Sequence, residues 1–111
     1  MYKVIKRDGA VADFKIAKIG DAIEKAFQSQ QKNYDRDIID FLALKVTADY
    51  QDKIQDDMIS VETIQDSVER VLAQAGYADV AKAYILYRKQ REKVRNMNST
   101  MLDYKSWWTI T

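Results

Sequence analysis

Apolar residues recur at three- and four-residue spacing in four successive blocks, and none of the 111 residues is a proline. That combination commits most of the chain to helix, because proline is the residue a helix interior tolerates least. The first block, with Asp13 as its expected N-cap, runs to about Gln28 and carries Ile16, Ile19, Ile23 and Ala26 or Phe27 at helical spacing. The second spans about Asp35 to Gln51, with Ile38, Ile39, Phe41, Leu42, Val46 and Tyr50 on a wide apolar face. Between Asp52 and Asp57 the sequence reads as a loop. Met58 and Ile59 then suggest a short strand, and Ser60 an N-cap for a third helix carrying Val61, Ile64, Val68, Val71 and Leu72 inward. Gly76 is the expected C′ residue of that helix. A fourth helix covers about Ala78 to Arg95, buried over ADVAKAYILY and projecting into water over RKQREKVR.

Ahead of the helices, residues 2–7 and 10–14 flank Asp8-Gly9 and read as an antiparallel ribbon. A two-residue type I′ turn at Asp8-Gly9 pairs Lys6 with Val11, Ile5 with Ala12 and Val4 with Asp13. Cross-strand partners share a face, so Ile5, Ala12 and Phe14 are expected against the helices, and Val4, Lys6 and Val11 on the face free to cover something. The fold expected is α+β but mainly α: a four-helix bundle capped by a small antiparallel β-hairpin or three-stranded sheet. Residues 1–95 form the one domain, and 96–111, NMNSTMLDYKSWWTIT, break the helical period and are expected to be a flexible linker or tail.

Composition narrows the chemistry. Cysteine and histidine are both absent, which removes thiol chemistry, zinc ribbons and imidazole catalysis and leaves no credible nucleophile and base. A binding module is favoured over an enzyme. No apolar run approaches the ~20 residues that cross a bilayer, and MYKVIKRDG lacks a signal-peptide core, so a cytoplasmic location is expected. The formal net charge is only +1, but residues 35–66 carry three cationic against nine acidic side chains and residues 82–95 six against one. One acidic and one basic surface follow from that split. Asp49, Asp52, Asp56 and Asp57 lack the regular spacing of a calcium loop and read as a solvated face.

Two features point to an anion. The turn is preceded by Lys6 and Arg7, and the first helix opens with Lys15 and Lys18, although the positive end of a helix favours acidic side chains. A phosphate chain between these groups would find charge-assisted donors on both sides. Solvated surface lysines are the alternative. The cations of the fourth helix, following Tyr84 and Tyr87, admit a second alternative, a nucleic-acid-binding helical module, though such runs more often complement a helix C-terminus.

The order V-x-K-R-D-G, Phe14, K-I at 18 and 19, ISVETIQDSVE at 59–69 and AKAYILYRKQR at 81–91 resembles the ATP-cone domain of ribonucleotide reductases over about residues 3–95. The tail NSTMLDYK resembles the segment leading into the catalytic domain of the anaerobic, glycyl-radical enzymes. The resemblance implies ATP or dATP bound between cap and bundle, with Lys6 and Arg7 handling phosphates and Val4 bordering the base. It makes Lys18 a phosphate ligand, Lys15 a further contact, and Val61 and Gln65 contacts near base and ribose. Magnesium is expected to accompany the phosphates. By the same resemblance the chain is a regulatory domain and no catalyst, with an anaerobic ribonucleoside-triphosphate reductase as its parent. Its expected partners are adenine nucleotides, the reductase catalytic domain and, with dATP, other cones. A repressor of reductase genes carries the same cone behind a zinc ribbon, and the lack of cysteine leaves that as an alternative only.

Overall fold

The computed structural model describes the backbone of residues 2–98 and the side chains of residues 2–91. Three short strands, β1 (Lys3–Ile5), β2 (Val11–Asp13) and β3 (Met58–Ser60), accompany four helices: α1 (Ile16–Ser29), α2 (Arg36–Tyr50), α3 (Val61–Gln74) and α4 (Ala78–Asn98). Residues 96–98, expected to begin the tail, continue α4, and the rest of that expected tail, from residue 99 onward, lies outside the described residues. Among the described residues no helix is long and apolar enough to cross a membrane.

The helices close into a ring, α1 packing on α2 and α4, and α3 on α2 and α4. Their shared interior holds Ile23 and Phe27 of α1, Leu42 and Val46 of α2, Leu72 of α3 and Tyr84 of α4, all essentially inaccessible to solvent. Local signals set the ends. Asp35 caps α2 by accepting from the Ile38 amide, and Ser60 caps α3 by accepting from Thr63 at 3.1 Å. Gly76, at φ +92°, closes α3: its amide donates to Ala73 and the Tyr77 amide reaches back to Leu72, the paired bonds of a left-handed C-terminal cap. Phe41, expected on the apolar face of α2, instead stands 53% exposed beneath the Lys45 ammonium, and Ala43 takes its place inside. The bundle covers only one stripe of the helix, and Phe41 falls beyond its edge.

The sheet order is β2-β1-β3, with β2 antiparallel and β3 parallel to β1. The expected hairpin register is displaced by one residue. Val4 faces Ala12 and Ile5 faces Val11, because the turn is a three-residue one: Gly9 donates to the Lys6 carbonyl, Lys6 donates to the Ala10 carbonyl, and only Gly9 has positive φ. Asp8 stays in an ordinary conformation and its carboxylate accepts from the Ala10 amide at 2.9 Å. Such a slip changes the faces. Ala12 and Phe14 join Val4 and Lys6 toward the bundle, while Val11 turns out to solvent. Burial decides the outcome, since Phe14 stacks on Tyr2 at 4.6 Å and both meet Tyr50 edge-on. Asp13 pairs with Lys3 across the strands and does not cap α1.

The two-residue left-handed turn lies elsewhere. Gln55 and Met58 exchange both backbone hydrogen bonds at 2.9 Å, and Asp56 and Asp57 between them have φ of 54° and 58°. Left-handed backbone is unfavourable for residues with a Cβ. Replacing Asp57 with glycine is therefore expected to stabilise the fold by about 0.5–1 kcal/mol, with the melting midpoint rising a few degrees. A calorimetric scan showing no rise would refute the strain.

Candidate functional site

Strand β2 runs directly into α1, and Lys15 occupies the N-cap with extended backbone and no side-chain hydrogen bond to the helix amides. No acidic residue lies in the first turn of α1, whereas α2 has Asp37 and α3 has Glu62 there. Lys15 and Lys18 thus add positive charge to an end that is already positive.

Beneath the inward face of the sheet, between α1 and α3, is a cleft of about 620 Å³ including its open mouth. Val4, Lys6, Ala12 and Phe14 form its roof. One wall is a single stripe of α1, Lys15, Lys18, Ile19 and Ala22; the other is a stripe of α3, Val61, Ile64, Gln65 and Val68, with Tyr84 of α4 behind. Each stripe follows from helical spacing of three and four. The lining is apolar apart from the three lysines, Asp13, Gln65 and the Tyr84 hydroxyl. Among the described residues neither Lys6 nor Lys18 has an ion-pair partner. Burial pushes the Tyr84 phenol well above its usual range, so it stays protonated at the back wall.

Six of the seven residues singled out from the sequence, Val4, Lys6, Lys15, Lys18, Val61 and Gln65, line this one cleft. Arg7 is held at its edge: Nη1 donates to Glu62 Oε2 at 2.8 Å and Nη2 to Gln65 Oε1 at 3.0 Å. The pairing of β1 with β3 makes that contact possible, because Ile5 lies opposite Ser60 and brings the hairpin tip to the first turn of α3. Sequence reasoning missed Ile19, Ala22, Ile64, Val68 and Tyr84 as cleft residues and left Glu62 out altogether. The stripes containing Lys18 and Gln65 carried a signal for the first four; Tyr84 had none beyond its apolar surroundings.

The basic run on α4 looks different. Arg88 is paired with both Asp66, at 2.9 Å, and Glu69, which fastens α4 to α3. Tyr84 and Tyr87 are buried. Neither ring is therefore presented on the outer surface of α4, where a nucleic acid would lie, and the side chains of residues 92–95 lie outside the described residues.

Residues 2–93 match the family model described as the ATP cone domain. The chain is 40% identical to a ribonucleoside-diphosphate reductase subunit alpha of Chlamydia pneumoniae, over 83% of this chain and 9% of that protein. It is 42% identical to a vitamin B12-dependent ribonucleoside-diphosphate reductase of Thermoplasma acidophilum, over 89% of this chain and 13% of the relative. An anaerobic ribonucleoside-triphosphate reductase of Escherichia coli K12 is 35% identical over 80% of this chain and 12% of its own length. The chain thus spans about a tenth of the length of the curated relatives it matches.

Proposed function

The chain belongs to the ATP-cone family, and from that premise we propose that it is an allosteric domain of a ribonucleotide reductase that binds ATP or dATP in the cleft beneath the sheet. Its role in this reading is regulatory, and the chemistry belongs to the rest of the parent protein. The observation that carries it is the convergence of Lys6, Lys15 and Lys18 on one apolar cleft with no carboxylate paired to Lys6 or Lys18 among the described residues. Three cations from two elements repel one another, and a triphosphate converts that repulsion into charge-assisted hydrogen bonds. Phosphates lie at Lys15, Lys18 and the first-turn amides of α1, with Lys6 closing from above and magnesium entering on the phosphates. The base lies against Val4, Val61 and Ile64.

ATP and dATP differ by one hydroxyl, so regulation requires each to favour a different conformation or assembly of the cone. A coupling of about 1–3 kcal/mol suffices. Ile16, Phe41 and Leu44, all exposed apolar side chains on α1 and α2, supply the surface for the cone–cone contact proposed with dATP. A cytoplasmic location is part of the same proposal. An anaerobic parent rests on the tail NSTMLDYK and on matches such as the one at 35%, while diphosphate reductases also match, one of them at 42%.

Isothermal titration tests the binding. ATP and dATP are expected to bind in the micromolar range or tighter, about −8 kcal/mol, with guanine and pyrimidine nucleotides much weaker. Equal affinity for all of them would defeat the adenine assignment, and duplex DNA binding with a steep salt dependence would favour the nucleic-acid module instead.

A further inference from the structure

Arg7 sits where a phosphate-handling cation was expected, yet its charge is already answered. Its side chain is only 16% exposed, and both terminal nitrogens are engaged, one by the Glu62 carboxylate and one by the Gln65 carbonyl oxygen. Arginine carries donors only, so the oxygen of the Gln65 side chain must be the atom facing it. That fixes the amide: its nitrogen is directed away from Arg7. Gln65 is 4% exposed and lines the cleft, and no buried side-chain nitrogen or oxygen among the described residues lacks a partner unless solvent reaches it. The Gln65 amide donors therefore open onto the cleft.

We propose that Arg7, Glu62 and Gln65 form a clasp that holds the hairpin tip down on α3 and presets the Gln65 amide as a donor to the bound ligand. Glu62 is a positioning residue in it. Its carboxylate, in the first turn of α3, anchors Arg7 without touching the ligand, and Arg7 in turn orients Gln65. The hairpin has few other ties at its tip, since Asp8 and Gly9 are exposed and bond only within the turn. The clasp is thus the side-chain link between the roof of the cleft and its α3 wall. Its effect on a nucleotide rests on the function proposed above; its effect on the hairpin does not.

The test uses Glu62→Ala, a substitution on an exposed helical position that removes the anchor without altering the cleft lining. In the ligand-free protein, amide hydrogen exchange at Lys6 and Gly9, whose N–H groups close the turn, is expected to accelerate about three- to tenfold. Exchange in α2 should be unchanged, which separates an opened hairpin from global loss of stability. In stopped flow, ATP is expected to leave about three- to tenfold faster while associating no more slowly. Exchanging the two partners, Arg7→Glu with Glu62→Arg, should restore the protection of Lys6 and Gly9. Unchanged exchange in Glu62→Ala overturns the clasp even if ATP binds as proposed. Accelerated exchange in a protein that fails to bind ATP would leave the clasp standing and refute the nucleotide reading. Faster exchange with an unaltered ATP dissociation rate overturns the claim that the clasp retains the ligand.

Discussion

Replacing Lys18 with glutamate is expected to weaken ATP binding about a hundredfold or more, a loss of ~3 kcal/mol, while leaving adenosine binding within a factor of about three. The asymmetry follows from where the charge sits. Lys18 lies in the first turn of α1, on the stripe that lines the cleft, and it has no ion-pair partner among the described residues. Changing its sign removes a charge-assisted donor and places a carboxylate beside phosphate oxygens, which is worse than an absent contact. A base and ribose without phosphates do not meet that carboxylate. Lys6→Glu, on the roof, should behave in the same way, and the double variant should lose more than either but less than the sum, because the two cations share one ligand charge. The folded state gives no reason for collapse, since both side chains reach solvent and neither holds a structural ion pair. Reversal at Lys18 also restores an acid to a helix N-terminus, which favours the fold by a few tenths of a kcal/mol. Melting curves that are unchanged or slightly raised, alongside the titrations, distinguish a lost site from a lost fold. If ATP and adenosine weaken in parallel, the phosphates are not at α1.

Where the sequence could be read and where it could not follows from the range of the interactions involved. Two helix ends were legible because capping is local: Ser60 and Gly76 act on backbone groups a few residues away and stand where expected, whereas Asp13, the expected cap of α1, is drawn across the sheet to Lys3 and Lys15 takes the cap position. The cationic group was legible for a similar reason. Lys15 and Lys18 sit on one turn, and Lys6 sits beside a turn that returns the chain toward them. The hairpin register was not legible, because Asp-Gly serves both a two-residue turn, with two positive φ values, and a three-residue turn with only glycine there. Contacts 36 residues further along decided it, since Phe14 must share a face with Tyr2 to reach Tyr50. Tyr84 as a cleft wall was equally hidden, and so was Glu62. Its meaning comes only from the parallel pairing of β1 with β3, which no local pattern encodes.

Stability is expected to fall steeply above pH 10, and two tyrosines set the slope. Tyr50 and Tyr84 are both buried, and burial, the larger cause in each, pushes their phenols above the ordinary value of 10.0. Tyr50 is also tied to the Tyr2 hydroxyl at 2.5 Å, and the Tyr2 phenol is likewise raised by burial. A group that holds its proton more tightly when folded contributes stability that is fully present below the unfolded pKa and is lost as pH rises above it. Between the unfolded value near 10 and the higher folded values, each tyrosine stays protonated in the fold and ionises in the unfolded chain. The loss is ~1.4 kcal/mol per pH unit for each, so Tyr50 and Tyr84 together remove about 3 kcal/mol by pH 11. That is a large part of the ~5–15 kcal/mol that holds a domain of this size. Denaturant titrations at pH 8, 10 and 11 measure it. Tyr50→Phe keeps the ring against Phe14 and Tyr2, forfeits the hydroxyl contact at neutral pH, and should shallow the alkaline slope by about 1.4 kcal/mol per pH unit. An unaltered slope in that variant would mean that the Tyr50 hydroxyl ionises in the folded protein as readily as in water, and the sealed aromatic cluster beneath the sheet would have to be abandoned.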